Sequence, residues 1–174
     1  MFSDIVGFAA WSSQREPGHV FTLLETVFRS FDFIAKEMDV FKVETIGDCY
    51  VAVAGLPNPR DDHAVLMAEF SKACMRKFKA LVHRMEISLG PDTGDLSMRF
   101  GLHSGPVTAG VLRGEKSRFQ LFGDSVNTAA RMETTGEAGK IHMSHEVGQA
   151  FEAVLTFLGN AKIHSNARYF FVVP

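Results

Sequence analysis

Cysteine is scarce: Cys49 and Cys74 are the only two in 174 residues. Two thiols do not make the disulfide framework of a small secreted domain, so both are expected as buried thiols of a reducing compartment. Long apolar runs are missing too. None approaches the ~20 residues that span a bilayer, and no signal peptide opens the chain. Nor is there a surplus of one charge. The 18 Lys and Arg stand against 20 Asp and Glu, a net charge of −2, which argues against a general nucleic-acid binder. Repeats and low-complexity segments are absent. His63 has no second histidine placed to form a zinc site with it, so it is expected to cap or pack. Gly136-Glu-Ala-Gly139-Lys140 lacks both the spacing of a phosphate loop and the Ser or Thr after its lysine.

What is present is ordinary for a soluble globular protein, 46% hydrophobic and 22% charged, and its length suits one domain over residues 1–174. The chain starts inside a strand-like run, which suggests a domain cut from a longer protein.

The most informative stretch is Phe41 to Gly55. Val43, Thr45 and Ile46 lead up to Gly47-Asp48, and Tyr50, Val51 and Val53 lead away. A two-residue Gly-Asp turn between β-branched and aromatic runs predicts a β-hairpin with Asp48 at its tip and Glu44 in its stem. Alone, these read as a turn aspartate and a solvent-facing strand glutamate. A second carboxylate changes that reading. Asp4 lies in Phe2-Ser-Asp-Ile-Val-Gly-Phe8, a short strand running into a turn. Two carboxylates at strand ends suit a hard cation such as magnesium, which takes one or two carboxylates plus substrate phosphates. Gly7 and Phe8 would free backbone N–H groups for phosphate.

Elsewhere, Ala9 to Pro17 reads as a polar loop. Val20, Leu23, Leu24, Val27, Phe28, Phe31 and Ile34 recur at helical spacing, predicting a helix from Pro17 or Gly18 to about Met38. A second helix is predicted from Ala64 to about His83, with Asp61 or Asp62 as its cap. Gly90 to Gly94 reads as a loop and Leu96 to Leu102 as a strand. Val107 to Leu112 and Phe119 to Phe122 follow as strands around a charged turn. Gly123 to Glu133 reads as a helix capped by Asp124 or Ser125, with Asn127 and Arg131 on one face. A strand at Ile141 to Met143, a helix at Ser144 to Phe151 and a strand near Tyr169 to Val173 complete the chain. This predicts an α+β fold, helices on one face of a mostly antiparallel sheet.

Three motifs stand in order: Phe2-Ser-Asp-Ile-Val-Gly-Phe8, the run from Lys42 to Pro57, and Leu121-Phe-Gly-Asp-Ser-Val-Asn-Thr-Ala-Ala-Arg-Met-Glu133. Together they resemble the catalytic domain of class III nucleotidyl cyclases, the adenylyl and guanylyl cyclases. The resemblance implies a ferredoxin-like βαββαβ core with extra C-terminal elements. It implies cyclisation of a nucleoside triphosphate, whose 3′-oxygen attacks its own α-phosphorus and releases pyrophosphate. Two divalent cations, Mg2+ or Mn2+, would be held by Asp4, Asp48 and the Ile5 carbonyl. Arg131 would steady the transition state and Asn127 the ribose.

Glu44 and Gln120 fall at the base-reading positions. An ionised Glu44 only accepts hydrogen bonds, which suits the N–H edge of guanine, so GTP is favoured. The Gln120 amide can flip to serve either base, which leaves an adenylyl cyclase or dual enzyme as the alternative. A non-catalytic regulatory half is the other. The resemblance further implies a homodimer, with metal carboxylates from one chain and the base readers, Asn127 and Arg131 from the other. It implies a place in the cytosol or on the cytoplasmic face of a membrane. Three features depart from the family pattern. Ala9 stands where Thr is usual, Glu115 with Lys116 stands at an often basic turn, and Lys162 is the nearest substitute for a triphosphate-gripping lysine.

Overall fold

The computed structural model describes residues 1–113, 117–157 and 169–172. Its elements run β1 (Phe2–Val6), α1 (Phe8–Ser12), α2 (Pro17–Glu37), β2 (Phe41–Ile46), β3 (Cys49–Val53), α3 (His63–Leu89), a 3-10 turn (Pro91–Asp95) and β4 (Ser97–Leu102). There follow β5 (Thr108–Leu112), β6 (Arg118–Phe122), α4 (Asp124–Thr134), β7 (Lys140–Met143), α5 (His145–Phe157) and β8 (Tyr169–Val172).

The main sheet has the order β2-β3-β1-β4-β7-β8, and β5 and β6 form a separate ribbon. Among the described residues only the β4–β7 pairing is parallel. The first four strands with α2 and α3 make the expected βαββαβ core, and the remaining elements extend it.

Period-two alternation divides the sheet into two faces. On β4, Met98, Phe100 and Leu102 point into the core with Phe31 of α2 and Phe70 and Phe78 of α3. Tyr50 of β3 is fully buried there, its ring 5.5 Å from Phe31 and 6.5 Å from Phe70. Each such side chain contributes roughly 1.5–3 kcal/mol by leaving water. Arg99 and Gly101 point the other way. A Cβ on Gly101 would stand 2.0 Å from the Glu133 amide nitrogen, so the missing side chain is what lets α4 lie directly on β4. The helices therefore do not all share one face: α4 covers the face opposite α2 and α3.

Local differences have local causes. Residues after Gly7 form α1 and not a loop, because Trp11 is buried and its Nε1–H donates to Thr93 Oγ1 at 3.1 Å. Thr93 itself sits in a 3-10 turn where a loop was expected. α3 continues to Leu89, since Met85 and Leu89 remain buried beyond His83. Asp62 stands at its cap position without a side-chain cap bond and pairs with Arg60 instead. Gly123 precedes α4, and the Ser125 hydroxyl donates to the Pro106 carbonyl, so neither expected cap acts as one.

Candidate active site

The hairpin turns at Gly47-Asp48, with Ile46 paired to Cys49 and Gly47 at φ 60°, the positive value a two-residue turn demands of its first position. β3 pairs with β1 through Ser3 and Tyr50. Asp48 therefore arrives beside Asp4. Burial, the Asp4 charge and a side-chain hydrogen bond with Asp4 push the Asp48 pKa up to about 6, while its own amide and that of Ile5 pull it back. Two carboxylates in contact repel each other, and a proton or a cation relieves that repulsion.

Arg99 stands behind them. Its Nη2–H donates to Asp4 Oδ2 at 2.9 Å, and its Nε–H donates to Glu133 on α4. Glu133 is only 6% exposed, and burial raises its pKa despite that guanidinium. Cys49 is pushed up to about 12, first by burial and then by Glu133, Asp4 and Asp48, so it is a thiol and no nucleophile.

Asp4 and Asp48 fit a hard divalent cation with an open coordination sphere. No group of three or more His, Cys, Asp or Glu that could hold a metal occurs among the described residues. Two carboxylates already in contact, one with a raised pKa, are what a cation shared with substrate oxygens needs. Ile5 comes next to Asp48 through its backbone. Gly7, at φ 89°, precedes α1, and its carbonyl accepts the Trp11 N–H; the Phe8 ring stacks on Trp11.

The remaining site residues are not assembled with this group. Glu44 is half-buried on β2, opposite Val51, directly after a register shift. Gln120 lies on β6 opposite Gly110. Phe119 meets Phe41 of β2 at 4.9 Å, so the ribbon leans on the hairpin. Its neighbour Gln120 points to the opposite side of β6, and no hydrogen bond joins it to Glu44.

Asn127 and Arg131 lie on the exposed face of α4. Arg131 donates to Thr128 Oγ1 at 2.8 Å and stands 3.8 Å from Asp124. The opposite α4 face, Ser125, Ala129 and Glu133, is the buried one. Asn127 and Arg131 thus point away from the carboxylates of their own chain. Lys116 and Lys162 lie outside the described residues.

A cavity of about 320 Å³ opens between Val51, Val53 and Leu102 of the sheet, Ala64 and Met67 of α3, and Leu121 and Val126. None of Asp4, Asp48, Glu44 and Arg131 lines it, so the candidate chemistry lies outside this cavity. His63 acts as a tether: its Nδ1 lies 2.8 Å from the Arg60 carbonyl and its Nε2 2.7 Å from Ser104 Oγ. Sequence reasoning missed Arg99 and the use of Glu133. Alternation around Arg99 shows which face it takes, but nothing local reveals its partners.

The family model for the adenylate and guanylate cyclase catalytic domain matches residues 1–169. The chain is 46% identical over 145 residues to a receptor-type guanylate cyclase, gcy-28, of Caenorhabditis elegans, covering 83% of this chain and 11% of that protein. Among solved structures, it is similar to the guanylate cyclase domain of RhGC from Catenaria anguillulae in complex with GTP. There the identity is 39%, the TM-score 0.78, and the match covers 87% of this chain and 79% of that one. A non-canonical dimeric guanylyl cyclase domain of the RhoGC fusion protein from Blastocladiella emersonii matches at 39% identity and TM-score 0.75, over 87% of this chain and 81% of that one. The carboxylate pair, the motif order and a family match over nearly the whole length agree: the chain belongs to the adenylate and guanylate cyclase catalytic-domain family.

Proposed function

We propose that this domain converts GTP to cyclic GMP and pyrophosphate, in a homodimer whose sites lie between the chains. The observation that carries this is the outward set of Asn127 and Arg131, opposite in direction to Asp4 and Asp48 of the same chain. A second copy supplies the missing half of each site.

Asp4 and Asp48 would hold Mg2+ or Mn2+, with the Ile5 carbonyl as a further ligand. When bound, these cations acidify the 3′-hydroxyl and neutralise phosphate charge. Arg99, standing behind Asp4, would hold that carboxylate in place for the cation. Gly7 and Phe8 would offer backbone N–H groups to the phosphates, and Lys116 and Lys162 would add charge.

Arg131 of the second copy would fork onto the phosphoryl oxygens as charge builds there. Asn127 would orient the ribose. Glu44 would accept from the guanine N–H edge, with Gln120 donating to O6. The Gln120 amide also fits adenine when flipped, so ATP is the competing substrate. The proposed location is the cytosol or a cytoplasmic membrane face. No helix among the described residues is long and apolar enough to cross a membrane.

Incubating the purified domain with GTP or ATP and manganese, then separating the products, tests the reading. Cyclic GMP alone, abolished by Asp48→Ala, is expected. Cyclic AMP alone overturns the base assignment. No product from a demonstrably dimeric sample points to a regulatory half.

A further inference from the structure

Glu44 faces the catalytic side only because β2 is bulged. In a regular strand Lys42 and Glu44 would share a face. Here Lys42 pairs with Ala52 and Glu44 with Val51, so Val43 is an extra residue. Ala52, like Tyr50, belongs to the core cluster on the side of α2, whereas Val51 between them is buried but outside that cluster, on the other face of β3. Lys42 therefore points toward α2 and Glu44 away from it. Moving the extra residue along the strand would turn Glu44 back toward α2.

One side chain spans this bulge. Asp32 of α2 accepts from Lys42 Nζ at 2.8 Å, just before the extra residue. It also accepts from the Tyr50 hydroxyl at 2.9 Å, and Tyr50 pairs with Thr45, just after it. Lys42 Nζ lies 5.3 Å over the Tyr50 ring, which joins both anchors. Tyr50 is fully buried among Phe28, Phe31 and Phe70, so it is a fixed post. The Asp32 carboxylate thus links Lys42, before Val43, to Tyr50, the strand partner of Thr45 beyond it.

We infer that Asp32, through Lys42 and Tyr50, locks the bulge at Val43 and so determines base selectivity by holding Glu44 on the catalytic face. Asp32 is a positioning residue: it touches neither nucleotide nor metal. The inference rests on the proposed role of Glu44 as the base reader.

The test compares GTP and ATP as kcat/KM ratios in the wild type, Asp32→Asn, Lys42→Met and Lys42→Arg. Because a dead enzyme would give no ratio, binding of 3′-deoxy-GTP and 3′-deoxy-ATP is measured in parallel by thermal shift. Both lack the attacking hydroxyl and report selectivity without turnover. Asp32→Asn and Lys42→Met are expected to cut the preference for guanine about tenfold or more, because a displaced Glu44 leaves the base edge unpaired. Lys42→Arg, which keeps the ion pair, restores most of it. The metal concentration giving half-maximal activity should stay put, since Asp4 and Asp48 lie outside the tie. Arg29→Met, in the same surface groove without either bond, is the control and leaves the ratio unchanged.

A lower melting temperature with an unchanged guanine preference would reduce Asp32 to a structural role and overturn the inference. A wild type that binds 3′-deoxy-GTP selectively yet makes no cyclic product would sink the proposed catalysis alone. The positioning role would then stand or fall on the binding ratios. A wild type without base preference would overturn it outright.

Discussion

Asp4 and Asp48 are held from several sides, whereas Asn127 and Arg131 are held from one. The first pair is fixed by two strands, a tight turn, backbone amides and the Arg99–Glu133 bridge to α4. The second pair projects from a helix into solvent, with the Arg131 side chain 62% exposed. The buried half stores electrostatic repulsion that a cation would relieve. The exposed half stores nothing and needs a surface to face. On the proposed reading one chain would supply a finished metal cradle and an unfinished transition-state clamp, which is why the proposed site needs two chains.

The largest expected effect tests that division directly. Arg131→Ala removes one preorganised donor and should cost on the order of 10²–10³ in kcat, with Asp48→Ala at least as severe. Mixed, the two inactive chains should regain activity, because each mixed dimer holds one intact site. Turnover assays on the mixture, with mixed dimers verified by differential tagging, check this. Failure to recover would mean that the halves act within one chain.

Gly101→Ala should come next, because it attacks the contact between the halves. The added Cβ would collide with backbone of α4, 2.0 Å from the Glu133 amide and 2.5 Å from the Ala129 carbonyl. α4 must shift, carrying Glu133 off Arg99 and Arg131 off its line. Overpacking of this kind costs about 3 kcal/mol, read as a lower denaturation midpoint. Asp4 and Asp48 should still respond to Mn2+ in a thermal melt, since β1 and the hairpin are untouched.

A smaller effect concerns the buried half alone. The Asp48 pKa is raised above its ordinary 3.8 to about 6, so the folded chain holds that proton more tightly than the unfolded one. The resulting stabilisation is complete below pH ~4 and is lost as pH rises through ~6. The metal-free domain should therefore melt lower at pH 7.5 than at pH 5 from this group. Asp48→Asn should remove that dependence and stabilise the domain at pH 7.5 by about 1 kcal/mol, a figure discounted for partial solvent screening. Divalent cation should recover the same loss in the wild type and have little effect on the variant. Melting curves at both pH values, with and without Mn2+, decide it.

Much of the buried half was legible in sequence because its signals are local. Gly-Asp between β-branched runs specifies the turn, and alternation specifies the strands. What escaped notice depends on distant partners. Arg99 meets Asp4 across 95 positions and Glu133 across 34, and Trp11 meets Thr93 across 82. No local pattern encodes such meetings. The bulge at Val43 was hidden because Lys42, Val43 and Glu44 fit a regular strand equally well. The side taken by α4 left one trace, a glycine at position 101 inside an otherwise apolar strand, which signals close backbone approach. On the exposed half, the i and i+4 spacing of Asn127 and Arg131 is plain in sequence, yet their direction relative to Asp4 is a tertiary fact.

The smallest effect on the fold itself should come from the rim of the exposed half. Val111, Leu112 and Phe122 on the β5–β6 ribbon and Ile46 on the hairpin are each about half exposed or more, 56%, 53%, 48% and 56%. Scattered apolar residues at a surface need no cause, but Ile46 and Phe122 belong to β2 and β6, which carry Glu44 and Gln120, and Val111 and Leu112 to β5, the partner strand of β6. If a second copy covers them, Phe122→Ser should weaken self-association while changing monomer stability by no more than about 0.5 kcal/mol, as for other surface substitutions. Sedimentation velocity reads the first and chemical denaturation the second. Activity should then fall at low protein concentration and recover at high, which an Arg131→Ala defect would not do. An unchanged dimer would place the partner contact elsewhere and leave the outward direction of α4 as the remaining structural argument for a shared site.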